Sequence, residues 1–300
     1  MNITKGKGYE MTALGFVGGH GMGDLITMDD LSNDEILEIL DTAERLLPVA
    51  NGDVYAPLLQ GKVLGNLFFE NSTRTRMSFE SAMKRLGGEV VNLSSVGSSV
   101  AKGETLYDTM QMVDGYSDIA VIRHPHQGAA QYSADAIGIP ILNAGDGAGN
   151  HPTQTMLDLF TIQQAHGTLE GLNVVLVGDL RYGRTTHSLS HALVRFGAKL
   201  TLVSPDSLRM PTEIVGDLQS HGSEVIESEN LSGAIADADV IYMTRVQKER
   251  FPDEDEYAKV AGIYKMTADD LAGAKGGMIV MHPLPRVDEI DPSVDSTKHA

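Results

Sequence analysis

Short apolar runs alternate with amphipathic stretches along almost the whole chain. VLGNLFF from Val63, EVVNLSS from Glu89, DIAVIRH from Asp118 and IPILNAG from Ile139 have strand length, and glycine, proline or polar residues bound them. LNVVLVGD from Leu172, AKLTLVS from Ala198, ADVIYMT from Ala238 and GMIVMHP from Gly277 continue the series. Between the runs the spacing turns helical. Phe79, Ala82, Met83 and Leu86 fall at i, i+3, i+4 and i+7, closed by Gly87-Gly88. Leu189, Ala192, Leu193 and Phe196 repeat that spacing before Gly197. Apolar strands alternating with helices predict an α/β fold of parallel sheets flanked by helices.

The alternation breaks once. TQTMLDLFTIQQAHG, from Thr153, reads as one long helix with no strand inside it, and LEGLNVVLVGD then starts a fresh strand series. The expected organisation is two domains, 1–152 and 153–300, joined by a connecting helix at 153–166. A length of 300 residues fits two domains of about 150 each. Open parallel sheets bind ligands beyond the carboxyl ends of their strands. A cleft between two such halves would collect polar residues from many strand ends. There is no internal repeat at solenoid periods and no low-complexity tract.

Composition narrows the function classes. Asp plus Glu number 41 against 23 Lys plus Arg, a formal net charge of −18. That balance argues against a nucleic-acid partner or an acidic membrane surface, because both need basic patches. The chain has no cysteine, which excludes thiol catalysis, disulfides and cysteine metal sites. No apolar run reaches the length of about 18 residues that a membrane helix needs. The opening MNITKGKGYEMTALGFVGGHGMGD lacks a continuous apolar core and reads as a flexible arm or an over-extended start rather than a signal peptide. A cytoplasmic enzyme is expected.

The densest chemistry lies at Phe68-Phe69-Glu70-Asn71-Ser72-Thr73-Arg74-Thr75-Arg76, after a strand and at the opening of a helix. A helix N-terminus offers unpaired N–H groups and partial positive charge. Ser72, Thr73 and Thr75 add hydroxyls, and Arg74 adds a planar fork suited to phosphate. An ordinary helix cap needs one hydroxyl, not three interleaved with two arginines, so an anion site is the stronger reading. Neither GKS nor GKT occurs here, which excludes a Walker loop. Gly178-Asp179 leading to Gly183-Arg184 lacks the G-x-G-x-x-G of a dinucleotide loop. His124-Pro125-His126 has no cysteine or close carboxylate beside it, so no metal is expected there.

FENSTRTR resembles the carbamoyl-phosphate motif of the aspartate/ornithine transcarbamoylase family. The likeness continues in order through KGETLYDTMQ, IRHP, NAGDGAGNHPTQTMLDLFTI, GDLRYGRTTHSL, TRVQKER and HPLPRVDEID, from about Leu31 to Asp291. Within the family it is nearest to the aspartate-specific catalytic chains. The resemblance implies that Ser72, Thr73, Arg74 and Thr75 bind the phosphate of carbamoyl phosphate. It gives Arg123 the phosphate and the carbonyl oxygen, His151 the carbamoyl oxygen and Gln154 the carbamoyl amide. For L-aspartate it implies Arg184 on the α-carboxylate and Arg245 on the side-chain carboxylate, with Gln247 assisting. Two separate guanidinium forks suit a dicarboxylate. Arg245, Lys248, Glu249 and Arg250 could form a solvated charge run, but the position of Arg245 at a strand end points to function, with Lys248 and Arg250 read as surface or loop-positioning residues.

Ser98 and Lys102, in SSVGSSVAKGE, resemble the loop that family members insert into a neighbouring subunit's site, with Lys102 serving both substrates. That implies a homotrimer with shared active sites, and leaves a separate regulatory chain open as a partner. In His282-Pro283-Leu284-Pro285 two prolines fix φ and remove donors, so the loop presents carbonyls. The Leu284 carbonyl would accept from the aspartate amine or the carbamoyl NH₂, with Pro285 beside the carbamoyl phosphate. Ornithine-specific relatives carry a cysteine in that loop, and this chain has none. Family members usually continue past the equivalent of DPSVDSTKHA into a final helix that packs back on the first domain; the sequence as given stops at Ala300, so either it is incomplete or another element is expected to cover that surface.

The implied reaction is direct transfer. The neutral amine of aspartate attacks the carbamoyl carbon while Arg74, Thr75, Lys102, Arg123 and His151 act as the catalytic set. No cofactor and no metal is required. Two alternatives stand beside it: a transcarbamoylase for another amino acid, and a non-catalytic relative that only holds an anion. The intact set of Arg74, Lys102, Arg123, His151, Arg184 and Arg245 speaks against the second.

Overall fold

The computed structural model describes residues 23–147, 149–246, 257, 260 and 262–300. These fall into two compact units, one ending at Pro152 and the other beginning at Thr153.

In the first unit, β1 (Val63–Phe68), β2 (Glu89–Ser94), β3 (Ile119–His124) and β4 (Ile141–Asp146) form a parallel sheet in the order β2-β1-β3-β4. The helices α1 (Asn33–Asn51), α2 (Arg74–Arg85), α3 (Leu106–Tyr116) and α4 (Ala129–Ala136) belong to this unit. Strand alternation sends Ala120 and Ile122 into one apolar cluster, with Leu67 and Met110, and Val121 into another, with Leu64, Phe68 and Met83. Burial on both faces is why β3 reads as an unbroken apolar run. Helix α1 was not singled out by the sequence reading. Ser32 caps it reciprocally with Glu35, each side chain accepting the other residue's backbone N–H. The Ser-x-x-Glu spacing was the signal.

The second unit carries β5 (Asn173–Val177), β6 (Lys199–Val203), β7 (Val225–Ser228), β8 (Val240–Met243) and β9 (Ile279–Met281), all parallel, in the order β7-β6-β5-β8-β9. Helix α5 (Pro152–His166) opens the unit, and α6 (Arg184–Val194), α7 (Thr212–Ser220) and α8 (Leu231–Ile235) follow. Val175, Val177, Ile241, Met243 and Met266 lie in one continuous core cluster. The eight expected strands are all present, and β7 is an addition. It sits at the sheet edge with Ile226 and Glu227 exposed, so it offers no apolar run to read.

Each sheet reverses its winding once. In the first, β1 lies between β2 and β3; in the second, β5 lies between β6 and β8. The β1/β3 and β5/β8 junctions are therefore the switch points where ligands of parallel sheets bind.

Candidate active site

At the first switch point Phe68 of β1 is in register with Arg123 of β3, and the Phe69 N–H donates to the Arg123 carbonyl at 2.8 Å. The Arg123 side chain is only 12% exposed. Its Nη1 donates to the Ala144 carbonyl at 3.1 Å, and its Nε lies 3.3 Å from Glu70 Oε2. The guanidinium is thus held in place at the carboxyl edge of the sheet. Glu70 stood within the motif without a role, and the structure gives it that of aligning Arg123.

From Glu70 the chain turns into α2, whose first residue is Arg74. Thr73 occupies the N-cap position, yet its side chain makes no capping hydrogen bond, so that hydroxyl is not consumed by the helix. Thr73 and Arg74 are exposed, while Ser72 and Thr75 are half-buried. Arg76 points elsewhere: its Nε donates to Asn92 Oδ1 at 3.3 Å, in a network that includes Asn66 and Glu80. Of the two arginines in the motif, Arg74 is the one left at the helix start.

His151 is buried in the loop that follows β4, and Asp146 builds that loop. Asp146 accepts from Gly128 N and Asn150 N, each at 2.7 Å, and from Asn143 Nδ2 at 3.2 Å. Gly147 has φ +56, and a Cβ there would come within 2.6 Å of the Pro125 carbonyl, so only glycine fits. The sequence reading missed Asp146; an acid between glycines in NAGDGAGNHP was the available cue.

His124 accepts from His126 N through Nδ1 at 3.0 Å and packs edge-on against Phe69. Burial, and then the neighbouring His126, lowers its pKa, so it acts as a neutral part of the turn. A hollow of about 520 Å³ opens beside this edge, lined by residues including Phe69, Glu104, Thr109, His124 and Tyr132, and none of these is a predicted substrate ligand. Ser98 precedes the short 3-10 turn Ser99–Lys102, which ends at Gly103; its hydroxyl makes no capping hydrogen bond and donates to the Ser95 carbonyl at 3.3 Å. Lys102 is exposed there, with no ion-pair partner among the described residues.

At the second switch point Gly178 follows β5 with φ +112, and a Cβ there would clash with the Thr244 carbonyl at the end of β8. Glycine is what lets the two strand ends approach. Buried Asp179 accepts from Tyr182 N at 3.0 Å and shapes the turn into α6, which Arg184 begins. Arg245 stands two residues past β8. Both arginines are half-buried, and both lie on the carboxyl side of this junction. Gln247, together with Lys248 and Arg250, lies outside the described residues.

Gln154 is half-buried on the first turn of α5, and its Nε2 donates to Asp158 Oδ1 at 3.0 Å. Leu284 follows β9 with φ +58, unusual for a branched side chain, and its peptide to Pro285 is cis. Leu284 and Pro285 are exposed. The loop is held from below. Leu284 N donates to His282 Nδ1 at 2.7 Å, so the ring proton is on Nε2, which faces Glu289 Oε1 at 2.6 Å. Burial alone would raise the Glu289 carboxyl, but the His282 hydrogen bond and the backbone N–H groups of Asp288 and Glu289 outweigh it and hold the pKa at about 2. Neither His282 nor Glu289 was given this role by the sequence reading.

The carbamoyl-P binding domain of the aspartate/ornithine carbamoyltransferase family matches residues 23–164, and the Asp/Orn binding domain of the same family matches residues 170–300. The chain is 55% identical over 280 residues to the aspartate carbamoyltransferase catalytic subunit of Archaeoglobus fulgidus, covering 93% of this chain and 92% of that one. The solved catalytic subunit of M. jannaschii aspartate transcarbamoylase superposes with a TM-score of 0.87 at 50% identity, over 93% of this chain and 91% of that chain. The Trypanosoma cruzi aspartate transcarbamoylase in complex with carbamoyl phosphate and aspartate gives 0.88 at 40% identity, over 96% and 93%. Two parallel sheets, each with arginines at its switch point, thus coincide with two matched domains that together span nearly all of the described residues, and the chain belongs to the aspartate/ornithine carbamoyltransferase family.

Proposed function

We infer that the chain transfers the carbamoyl group of carbamoyl phosphate to the α-amine of L-aspartate, giving N-carbamoyl-L-aspartate and phosphate. The observation that carries this reading is the pairing of two kinds of basic site in a family member. An unconsumed helix start with Arg74 and Arg123 suits a phosphate, and Arg184 with Arg245 suits a second pair of anionic oxygens. Ornithine would bring an ammonium to those arginines, a like-charge mismatch that disfavours it. A carbamoyl-transfer assay run with aspartate and ornithine in parallel tests the assignment. Turnover with ornithine at the rate seen with aspartate would overturn it.

In this reading Ser72, Thr73, Arg74 and Thr75 take the phosphate, with Ser98 and Lys102 completing the site. Arg123 and His151 face the carbamoyl oxygen, and Gln154 the amide. Arg184 and Arg245 hold the aspartate carboxylates, with Gln247 assisting, and the Leu284 carbonyl beside Pro285 orients the nitrogen. The amine nitrogen bonds to the carbamoyl carbon, the bond to the phosphate oxygen breaks, and the amine proton passes to the departing phosphate. Thr75, Arg123 and His151 stabilise the oxyanion as charge develops, typically the largest single catalytic contribution. Holding amine and carbonyl in contact supplies up to roughly 7–11 kcal/mol more. The support for Arg123 is its pinned guanidinium, which needs little reorganisation when charge appears.

The product places the reaction in de novo pyrimidine biosynthesis. The proposed assembly is a homotrimer in which Ser98 and Lys102 serve a neighbour's site, and the term catalytic subunit used for the Archaeoglobus relative is consistent with a separate regulatory chain. No helix among the described residues is long and apolar enough to cross a membrane, consistent with a cytoplasmic enzyme.

A further inference from the structure

The second unit contains a buried polar group that the reaction above does not use. Asp158 lies one turn beyond Gln154 on α5 and is 3% exposed. One carboxyl oxygen accepts from the Tyr242 hydroxyl at 2.8 Å, and the other accepts from Gln154 Nε2 at 3.0 Å. Tyr242 is fully buried in the middle of β8, so the anchor is part of the sheet core. The side chains of Thr185, at the start of α6, and of Gln154 also lie against the Tyr242 hydroxyl, so the three polar groups form one cluster. Burying a carboxyl is costly, and apolar packing would fill the space at less cost. The arrangement therefore asks for a purpose.

We propose that Asp158 is a positioning residue for carbamoyl recognition. Its carboxylate, clamped by Tyr242, grips the NH₂ of the Gln154 amide and leaves the amide oxygen as the group presented to the substrate's NH₂. The argument rests on the assignment of Gln154 to the carbamoyl amide made above. A primary amide has a donor end and an acceptor end of nearly the same shape, so an unrestrained glutamine offers either. A carbamoyl NH₂ can only donate, so the donor end would meet it as a repulsive pair. Burial raises the Asp158 carboxyl to about 7 against the hydrogen bonds from Tyr242 and Gln154, so at pH 8 it is ionised. An ionised carboxylate accepts and cannot donate, which selects one of the two orientations. The Tyr242 hydroxyl keeps its proton, because burial and the adjacent Asp158 raise its pKa well above 10. Asp158 is thus met by donors on both sides.

The test compares two ligands that differ by the carbamoyl group. Calorimetry at pH 8 measures the affinities of carbamoyl phosphate and of inorganic phosphate for wild type, Q154A, D158A and the double variant. D158A should weaken carbamoyl phosphate about tenfold, the cost typical of a misdirected polar contact, and leave inorganic phosphate within about twofold. In the Q154A background the Asp158 effect should vanish, because its agent is gone. Equal weakening of both ligands, or a cost that persists in Q154A, would overturn the proposal. If D158A does not fold, D158N replaces it. An asparagine can turn either end to Gln154, so the selectivity for carbamoyl phosphate over phosphate should still fall, by a smaller factor. An unchanged ratio in D158N also overturns it. If Q154A alone leaves the ratio unchanged, the Gln154 assignment fails and takes this inference with it. If Q154A lowers the ratio and the Asp158 variants do not, only the inference fails.

Discussion

Arg74 and Arg76 sit two positions apart, and the structure separates their fates. Arg76 is engaged with Asn92, while Arg74 stands exposed at the first position of α2. Arg74→Ala is expected to cost about 1.5–3 kcal/mol in carbamoyl-phosphate binding, the range for a charge-assisted hydrogen bond. Arg76→Ala should leave that affinity nearly unchanged. Calorimetry reads both, and unchanged affinity in Arg74→Ala would remove this residue from the phosphate site. For Arg245→Ala the expectation is a rise in KM for aspartate of at least about tenfold, again from one lost charged contact, with far less change for carbamoyl phosphate. Equal effects on both substrates in steady-state kinetics would take Arg245 out of the amino-acid site. What was legible is placement: Arg74 and Arg184 open helices that follow strands, and Arg123 and Arg245 stand at strand ends, where positive forks are conspicuous in a chain of net charge −18. Glu70, Asp146 and Glu289 were not legible. Acids are common here, and only the fold shows that these three are spent on Arg123, on the His151 loop and on His282.

At the scale of elements, legibility followed burial. β3 and β5 are enclosed on both faces and announce themselves as apolar runs, whereas Val225–Ser228 pairs at an edge with two exposed positions and leaves no such signature. Loops were legible as motifs but not as shapes. HPLP could be read as a carbonyl-presenting turn, yet its conformation depends on a ring and a carboxylate seven residues apart in sequence, His282 and Glu289. That dependence has a sign that pH can read. The Glu289 carboxyl sits at about 2 in the folded protein, below its ordinary value near 4.5. Its contribution is fully present above about pH 4.5 and is lost as the pH falls toward 2, because the unfolded chain takes up the proton first. Glu289→Gln keeps the acceptor for His282 and removes the charge. Thermal melts at pH 7, 5 and 3 should therefore show the stability advantage of wild type over Glu289→Gln shrinking as the pH falls. A gap independent of pH would mean that the charge contributes nothing to the loop.

For the whole molecule, a net charge of −18 gives no long-range pull on two anionic substrates, so recognition has to come from forks within hydrogen-bond reach. Lys102 is one cation of the proposed set that the described chain leaves exposed and unpaired, on a turn flanked by Gly97 and Gly103. If the chain assembles as the proposed homotrimer and Lys102 reaches a neighbour's site while Arg123 acts at home, each active site draws on two chains. Homotrimers of Lys102→Ala and of Arg123→Ala should then both be nearly inactive. Mixed trimers behave differently. Where an Arg123→Ala chain lends its intact Lys102 to a Lys102→Ala chain with intact Arg123, one complete site reappears. In a ring of three built from two chain types there is one junction of each order, whichever type is in the majority. Each mixed trimer therefore regains one site of three. Dissociating the two inactive proteins and reassembling them together should restore activity toward that ceiling, while each protein treated alone stays inactive. Native mass spectrometry establishes that mixed trimers have formed. An inactive mixture in which they are present would place both residues in one chain's site, or remove Lys102 from the reaction.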